Sequence, residues 1–240
     1  MNRDRILQQL SGNLIVSCQA SAGHALRDPA TIARMAQATV DGGAAAIRCG
    51  GVGGLADVTA VRAAVDVPVV GLTKHDRSGV FITPTVADAR EVARRGAEVV
   101  ALDGTDRPRP DGARLASAIE AVHEAGALAM ADVATLRDGE LAAAAGADLV
   151  ATTLSGYTDE TAGRRHADDA DVALVADLRR ALPGHPVVAE GRYHYPATVA
   201  DAFRAGATAV VVGTAITDPT WITRSFVKVC GHVHDRRSSG

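Results

Sequence analysis

The sequence runs to 240 residues, 47% hydrophobic but only 3% aromatic, with a formal net charge of -3 and a pI near 6.2. That charge exerts no electrostatic pull on nucleic acid or a lipid surface, and so few aromatics leave no base-stacking platform. The apolar content is Ala, Val, Leu and Ile, which suits parallel strands buried on both faces beneath a layer of helices.

In chain order, the segment after Met1-Asn2-Arg3-Asp4-Arg5 is amphipathic and lacks the apolar stretch of a signal peptide, so none is expected. Apolar runs suited to strands then recur at 14–17, 45–47, 68–72, 99–102, 128–130, 149–151, 186–189 and 209–212. None approaches the ~18 residues that would cross a membrane. Five runs follow a Gly-Ala pair, at Gly43, Gly96, Gly126, Gly146 and Gly206, where Gly ends a helix and Ala lets the chain turn tightly into the next strand. Helical segments are predicted between the runs, at 29–41, 53–64, 86–95, 111–125, 136–145, 170–181, 196–205 and 219–230, with prolines near several starts. Eight alternations predict a single-domain (β/α)8 barrel over 1–231, with a doubly wound sheet as the alternative and a flexible tail at 232–240. Three cysteines at wide spacing, Cys18, Cys49 and Cys230, read as reduced thiols of a cytoplasmic protein. His232 and His234 have metal-ligand spacing but no third ligand nearby, so no metal site is expected.

In a barrel, the residues just past the strands face the catalytic rim. Here they are Gln19, Arg48, Lys74, Asp103, Asp132, Thr152 and Thr153, Glu190 with Gly191 and Arg192, and Gly213 with Thr214. Each alone reads equally well as a cap or an ion pair; a convergent set with a base, an acid and two arginines points to a site for a polar, anionic small molecule. Glycines after the last two strands fit either tight turns or a phosphate cradle. Gly50-Gly51-Val52-Gly53-Gly54 lacks the Lys-Ser/Thr of a phosphate-binding P-loop and reads as a flexible rim loop. The charges of Asp103 to Arg109 are expected to pair among themselves, and His75, His123 and His194 to make local hydrogen bonds.

The segments LIVSCQA (14–20), GGAAAIR (42–48), GLTK (71–74), ALDGTDRPRP (101–110), MADVAT (130–135), TTLSGYT (152–158), AEGRY (189–193) and VVGTAIT (211–217) resemble, in order, the N-acetylmannosamine-6-phosphate 2-epimerase family of bacterial sialic-acid catabolism. The resemblance implies a cofactor-independent barrel enzyme that interconverts N-acetylmannosamine 6-phosphate and N-acetylglucosamine 6-phosphate. It assigns catalysis to Lys74 and Glu190, sugar contacts to Gln19, Arg48 and Asp132, and the phosphate end to Gly191, Arg192, Gly213 and Thr214. It also suggests a homodimer, with the apolar helix starting near Trp221 as a candidate contact.

Inverting C2 requires removal of the proton beside the C1 aldehyde of the open-chain sugar, and the expectation is that burial and the charge of Arg48 keep Lys74 partly neutral for that task. Glu190 would supply acid catalysis or polarise the C1 oxygen. A Schiff-base lyase built on Lys74 is a different chemistry compatible with the same residues. Three positions depart from the family pattern: Asp218 stands where Arg is usual, His75 where Arg is common, and Ala134 where Ser is common. An anion at 218 leaves room for an unphosphorylated or otherwise related acylamino sugar.

Overall fold

The computed structural model describes residues 3–75, 79–164 and 169–230. The strands β1 (Asn13–Cys18), β2 (Ala46–Gly51), β3 (Val69–Thr73), β4 (Val99–Asp103), β5 (Leu128–Asp132), β6 (Leu149–Ala151), β7 (Val187–Glu190) and β8 (Ala209–Val212) are all parallel and form a closed barrel in sequence order. Pairing of Asn13 with Ala209 through Val16 with Val212 closes the ring. The doubly wound alternative is thereby excluded.

The strands alternate between two cores, as a period of two demands. Ile15, Ala46, Val70, Leu72, Ala101, Met130, Ala151, Val188 and Val211 fill the barrel interior. Val16, Ile47, Val100, Ala129, Val150, Val187 and Val210 face the helices. Continuing the inward parity to the strand ends gives Arg48, Lys74, Asp103, Asp132, Thr153 and Glu190. The same alternation that fills the barrel with Ala and Val therefore crowns it with charge.

Helices α2 (Pro29–Asp41), α3 (Gly54–Ala64), α4 (Val86–Arg94), α5 (Leu115–Glu124), α6 (Leu136–Ala144), α7 (Val172–Ala181) and α8 (Pro196–Arg204) form the outer layer. Capping boxes start two of them, Thr85 with Asp88 and Thr135 with Asp138. Three further helical pieces lie outside the simple alternation. Helix α1 (Arg3–Leu10) buries Ile6 and Leu10 in the interior core and so plugs the barrel floor. A 3-10 turn spans Asp159–Arg164, and the short α9 (Thr214–Thr217) precedes α10 (Pro219–Cys230), the eighth helix of the alternation. The tail at 232–240, with His232 and His234, and the loop residue Asp76 lie outside the described residues.

The Gly50–Gly54 segment is not the loose rim loop its composition predicts. Gly50 and Gly51 belong to β2, and Gly54 opens α3. A methyl group at Gly51 would strike the Gln19 amide oxygen, and one at Gly53 would strike the ion pair of Arg27 with Asp57. The glycines are there for close approach on both sides of the segment.

Candidate active site

A cavity of about 580 Å³ opens at the carboxyl ends of the strands. Gln19, Lys74, Glu190, Gly191, Arg192, Gly213 and Thr214 all line it, so seven of the nine predicted site residues share its wall. Arg48 and Asp132 do not line it; both are buried beneath it.

The buried pair forms a two-pronged ion pair, with Arg48 Nη2 donating to Asp132 Oδ2 at 2.6 Å and Nη1 to Oδ1 at 3.2 Å. Thr153 Oγ1 donates to Asp132 Oδ1 at 2.6 Å, so the carboxylate is held from two sides. Arg48 Nη1 also lies 3.1 Å from Glu190 Oε2, at ion-pair distance but without hydrogen-bond alignment. Thr152 fastens the Glu190 backbone, its hydroxyl accepting from Glu190 N at 3.0 Å and donating to Glu190 O at 2.9 Å. Only 12% of the Glu190 side chain is exposed. Burial pushes the Glu190 carboxyl up from 4.5 to about 7, with Asp132 pushing the same way, while Arg48, Lys74 and the nearby Thr153 hydroxyl act against the rise. A carboxyl raised in this direction is suited to holding and releasing a proton near neutral pH.

Lys74 stands half-buried across the mouth, just past the end of β3, four strands from β7 and so diametrically opposite in a ring of eight. Its backbone is tied on both sides. Lys74 N donates to Gly51 O at 2.9 Å, and an antiparallel bridge pairs Lys74 with Ile82. The chain after β3 thus folds back over the strand end, and it is pinned there by the buried Arg109, which donates to the carbonyls of Pro84 and Asp103. Asp103 itself is consumed locally, by Thr105, Arg107 and the N–H of Phe81. The expected internal pairing holds for Asp103 with Arg107, whereas Asp106 pairs with Arg137 and Arg109 with backbone carbonyls.

At the far end of the cavity, Gly191 and Arg192 have φ of 106° and 60°, so two successive residues are left-handed and Arg192 is held there at a steric cost. The Arg192 guanidinium donates to Asp169 O and Ser155 O, both at 2.8 Å, and lies 5.4 Å from the centre of the Tyr157 ring. Asp218 is turned toward its own helix: Oδ1 accepts the N–H of Trp221 at 3.0 Å at the start of α10 and lies 3.4 Å from His24 Nε2. The anion that stood out in the sequence is a helix cap with a histidine neighbour.

Sequence reasoning gave no role to several wall residues. His24, Phe81, Ile82, Leu154 and Tyr157 line the cavity. His194, expected to be a local residue, lies in the wall with its ring 4.5 Å from that of Trp221. His75 and His123 do pair locally, with Asp88 and Asp148. The inward parity of Thr153 was the available signal for its bond to Asp132. No group of three or more His, Cys, Asp or Glu is placed to hold a metal among the described residues.

An acid and a lysine facing each other across the mouth of a (β/α)8 barrel, over a buried arginine, define an enzyme site for acid–base chemistry on a small polar molecule. The family model described as "Putative N-acetylmannosamine-6-phosphate epimerase" matches residues 32–232. A Corynebacterium glutamicum protein named "Putative N-acetylmannosamine-6-phosphate 2-epimerase" is 48% identical over 227 residues, covering 95% of this chain and 97% of its own. A Cutibacterium acnes protein of the same name is 50% identical over 225 residues, covering 93% and 96%. The solved N-acetylmannosamine-6-phosphate 2-epimerase from Clostridium perfringens superposes with a TM-score of 0.88 at 36% identity, covering 95% of this chain and 98% of that one. The chain belongs to the N-acetylmannosamine-6-phosphate epimerase family.

Proposed function

We propose that the protein interconverts N-acetylmannosamine 6-phosphate and N-acetylglucosamine 6-phosphate by moving a proton at C2 of the open-chain sugar. The observation that carries the mechanism is Glu190, raised to about 7 and set opposite Lys74 in one cavity. Lys74, as the amine, takes the C2 proton from one face and becomes an ammonium. The electron pair of the broken C–H bond moves into the C1 carbonyl, giving an enolate whose C2 carries the acylamino nitrogen. Glu190 returns its own proton to C2 on the opposite face and becomes a carboxylate. The reverse reaction exchanges the two roles, and solvent restores the pair.

Arg48 and Asp132 act in this reading as positioning residues beneath the wall, fixing Glu190 and offsetting charge as it ionises. Gln19 stands beside C1 and C2. The backbone N–H groups of Gly191, Arg192, Gly213 and Thr214 hold the phosphate end, with the remaining guanidinium donors of Arg192. Asp218 also lines the cavity, with its Oδ1 held by the Trp221 N–H at the start of α10 and His24 Nε2 3.4 Å away.

Turnover of N-acetylmannosamine with and without the 6-phosphate, followed by NMR, tests the assignment. The phosphorylated sugar should be favoured at least 100-fold in kcat/KM, and Lys74→Ala should lower kcat by about 10²–10⁴. Equal turnover of both sugars, or full activity in Lys74→Ala, would refute it.

The reading also places the enzyme in the cytoplasm as a homodimer. Helix α10 supports the second point. None of its residues is buried, and Phe226, Val227 and Val229 are 69%, 61% and 63% exposed. A 12-residue helix with that much bare apolar surface is not stable alone in water, and a second copy would cover it.

A further inference from the structure

Thr153 stands between the two carboxyl groups that Arg48 spans from below. The pairing of β6 with β7 sets Val150 against Val187 and Ala151 against Val188, so two residues further on Thr153 comes beside Glu190 with the same inward parity. On its other side, Thr153 Oγ1 donates to Asp132 Oδ1 at 2.6 Å. The Thr152 hydroxyl, bonded to both Glu190 N and Glu190 O, holds the two strand ends together at that register. Thr153 and Glu190 both line the cavity, whereas Asp132 is buried beneath it.

A hydroxyl has one hydrogen to give and lone pairs with which to accept. An ionised Asp132 can only accept, so while the hydrogen of Thr153 points at Asp132, only its lone pairs are left for Glu190. Those lone pairs suit a protonated Glu190, which has an O–H to donate, and repel a carboxylate. After Glu190 has given up its proton the favourable arrangement is the reverse. The hydroxyl hydrogen then turns to Glu190 in a charge-assisted bond, and Asp132 keeps both donors of Arg48. Glu190 Oε2 is buried and has no hydrogen-bond partner among the described residues, so Arg48 lends the new charge its field without an aligned bond.

Resting on the epimerase reading, which gives Glu190 a proton to move, we propose that Thr153 is a positioning residue for that proton: its hydroxyl orients the acid before transfer and rotates onto the carboxylate after it. No covalent bond at Thr153 forms or breaks. Glu190 gives its proton to C2 and keeps the electron pair of the O–H bond. The charged groups that face Glu190 are Arg48 from β2, Lys74 from the end of β3 and Asp132 from β5, and a substitution at 153 leaves all three in place.

The experiment measures kcat and the pH profile of kcat/KM with N-acetylmannosamine 6-phosphate for the full-length wild type, Thr153→Val, Thr153→Ala and Thr153→Ser. Removing the hydroxyl deletes a bond that favours ionised Glu190. The limb near pH 7 should therefore move to higher pH in Thr153→Val and Thr153→Ala, with kcat lowered about tenfold or more. Thr153→Ser keeps the hydroxyl and loses the methyl group, and should return the limb to its wild-type position. A packing role predicts the opposite order, because Thr153→Val preserves the shape that Thr153→Ser reduces. That order, or a limb unmoved in both Thr153→Val and Thr153→Ala, overturns the proposal and leaves the epimerase reading standing. Absence of turnover in the wild type is a separate result, which removes the epimerase reading and this proposal with it.

Discussion

At the scale of single residues, Glu190 carries a cost that its neighbours only partly relieve. Its carboxyl is raised from 4.5 to about 7, so the folded protein holds this proton more tightly than the unfolded chain does. Ionising Glu190 therefore lowers stability: the penalty is absent below about pH 4.5, grows as pH rises, and is complete above about pH 7. Glu190→Gln should remove that penalty while lowering kcat by about 10²–10⁴. Its gain in stability should be roughly 3 kcal/mol at pH 8 and fade below about pH 5, as measured by urea unfolding at both pH values. No gain at pH 8 would mean that the carboxylate is comfortably solvated. Asp132→Asn addresses the neighbour. It deletes one charge that raises Glu190 and leaves Arg48 to act on Glu190 alone. The limb of the kcat/KM profile near pH 7 should then move to lower pH, and a shift to higher pH would contradict the geometry.

At the scale of elements, the clearest device is the ion pair that clamps two loops. Asp57, in the first turn of α3, is fully buried, and Arg27, just before α2, grips it with both terminal nitrogens. The pair backs the Gly50–Gly54 segment on one side while Gln19 faces it on the other, and Gly51 O accepts the N–H of Lys74. Arg27→Ala leaves a buried carboxylate without this partner and should cost about 3–5 kcal/mol. Replacing the pair together, Arg27→Met with Asp57→Leu, should cost much less, since the buried charge goes with its partner. A double variant as unstable as the single one would show that the charge is not the source of the loss.

The same scale shows what the sequence made legible. Gly-Ala punctuation and apolar runs located all eight strands, because a helix end followed by a buried strand leaves a local mark. Polar residues after those runs located the active-site wall. Depth in the barrel was not legible: Arg48 and Asp132 look like Lys74 and Glu190 in the sequence, yet they lie below the cavity because strand register, a long-range property, sets how far each strand end rises. Helix α1 escaped the eightfold count because a floor plug does not repeat. Asp218 looked like a misplaced charge because its partners, the Trp221 N–H and His24, are brought to it by the turn into α10 and the loop after β1.

At the scale of the molecule, a barrel core of aliphatic residues supports a charged mouth, and among the described residues helix α10 has none that is fully buried. The homodimer reading predicts that the wild type sediments as a dimer and that Phe226→Asp with Val229→Asp sediments as a monomer. A wild-type monomer would end that reading. The central claim is more specific: two groups on opposite strands share one proton transfer at C2. It is tested most directly by running the wild-type enzyme in D2O and following C2 of N-acetylmannosamine 6-phosphate by NMR at low conversion. Two-sided transfer predicts product deuterated at C2 from the first turnovers while the remaining substrate keeps its proton. Product that retains the substrate's own C2 proton would contradict it.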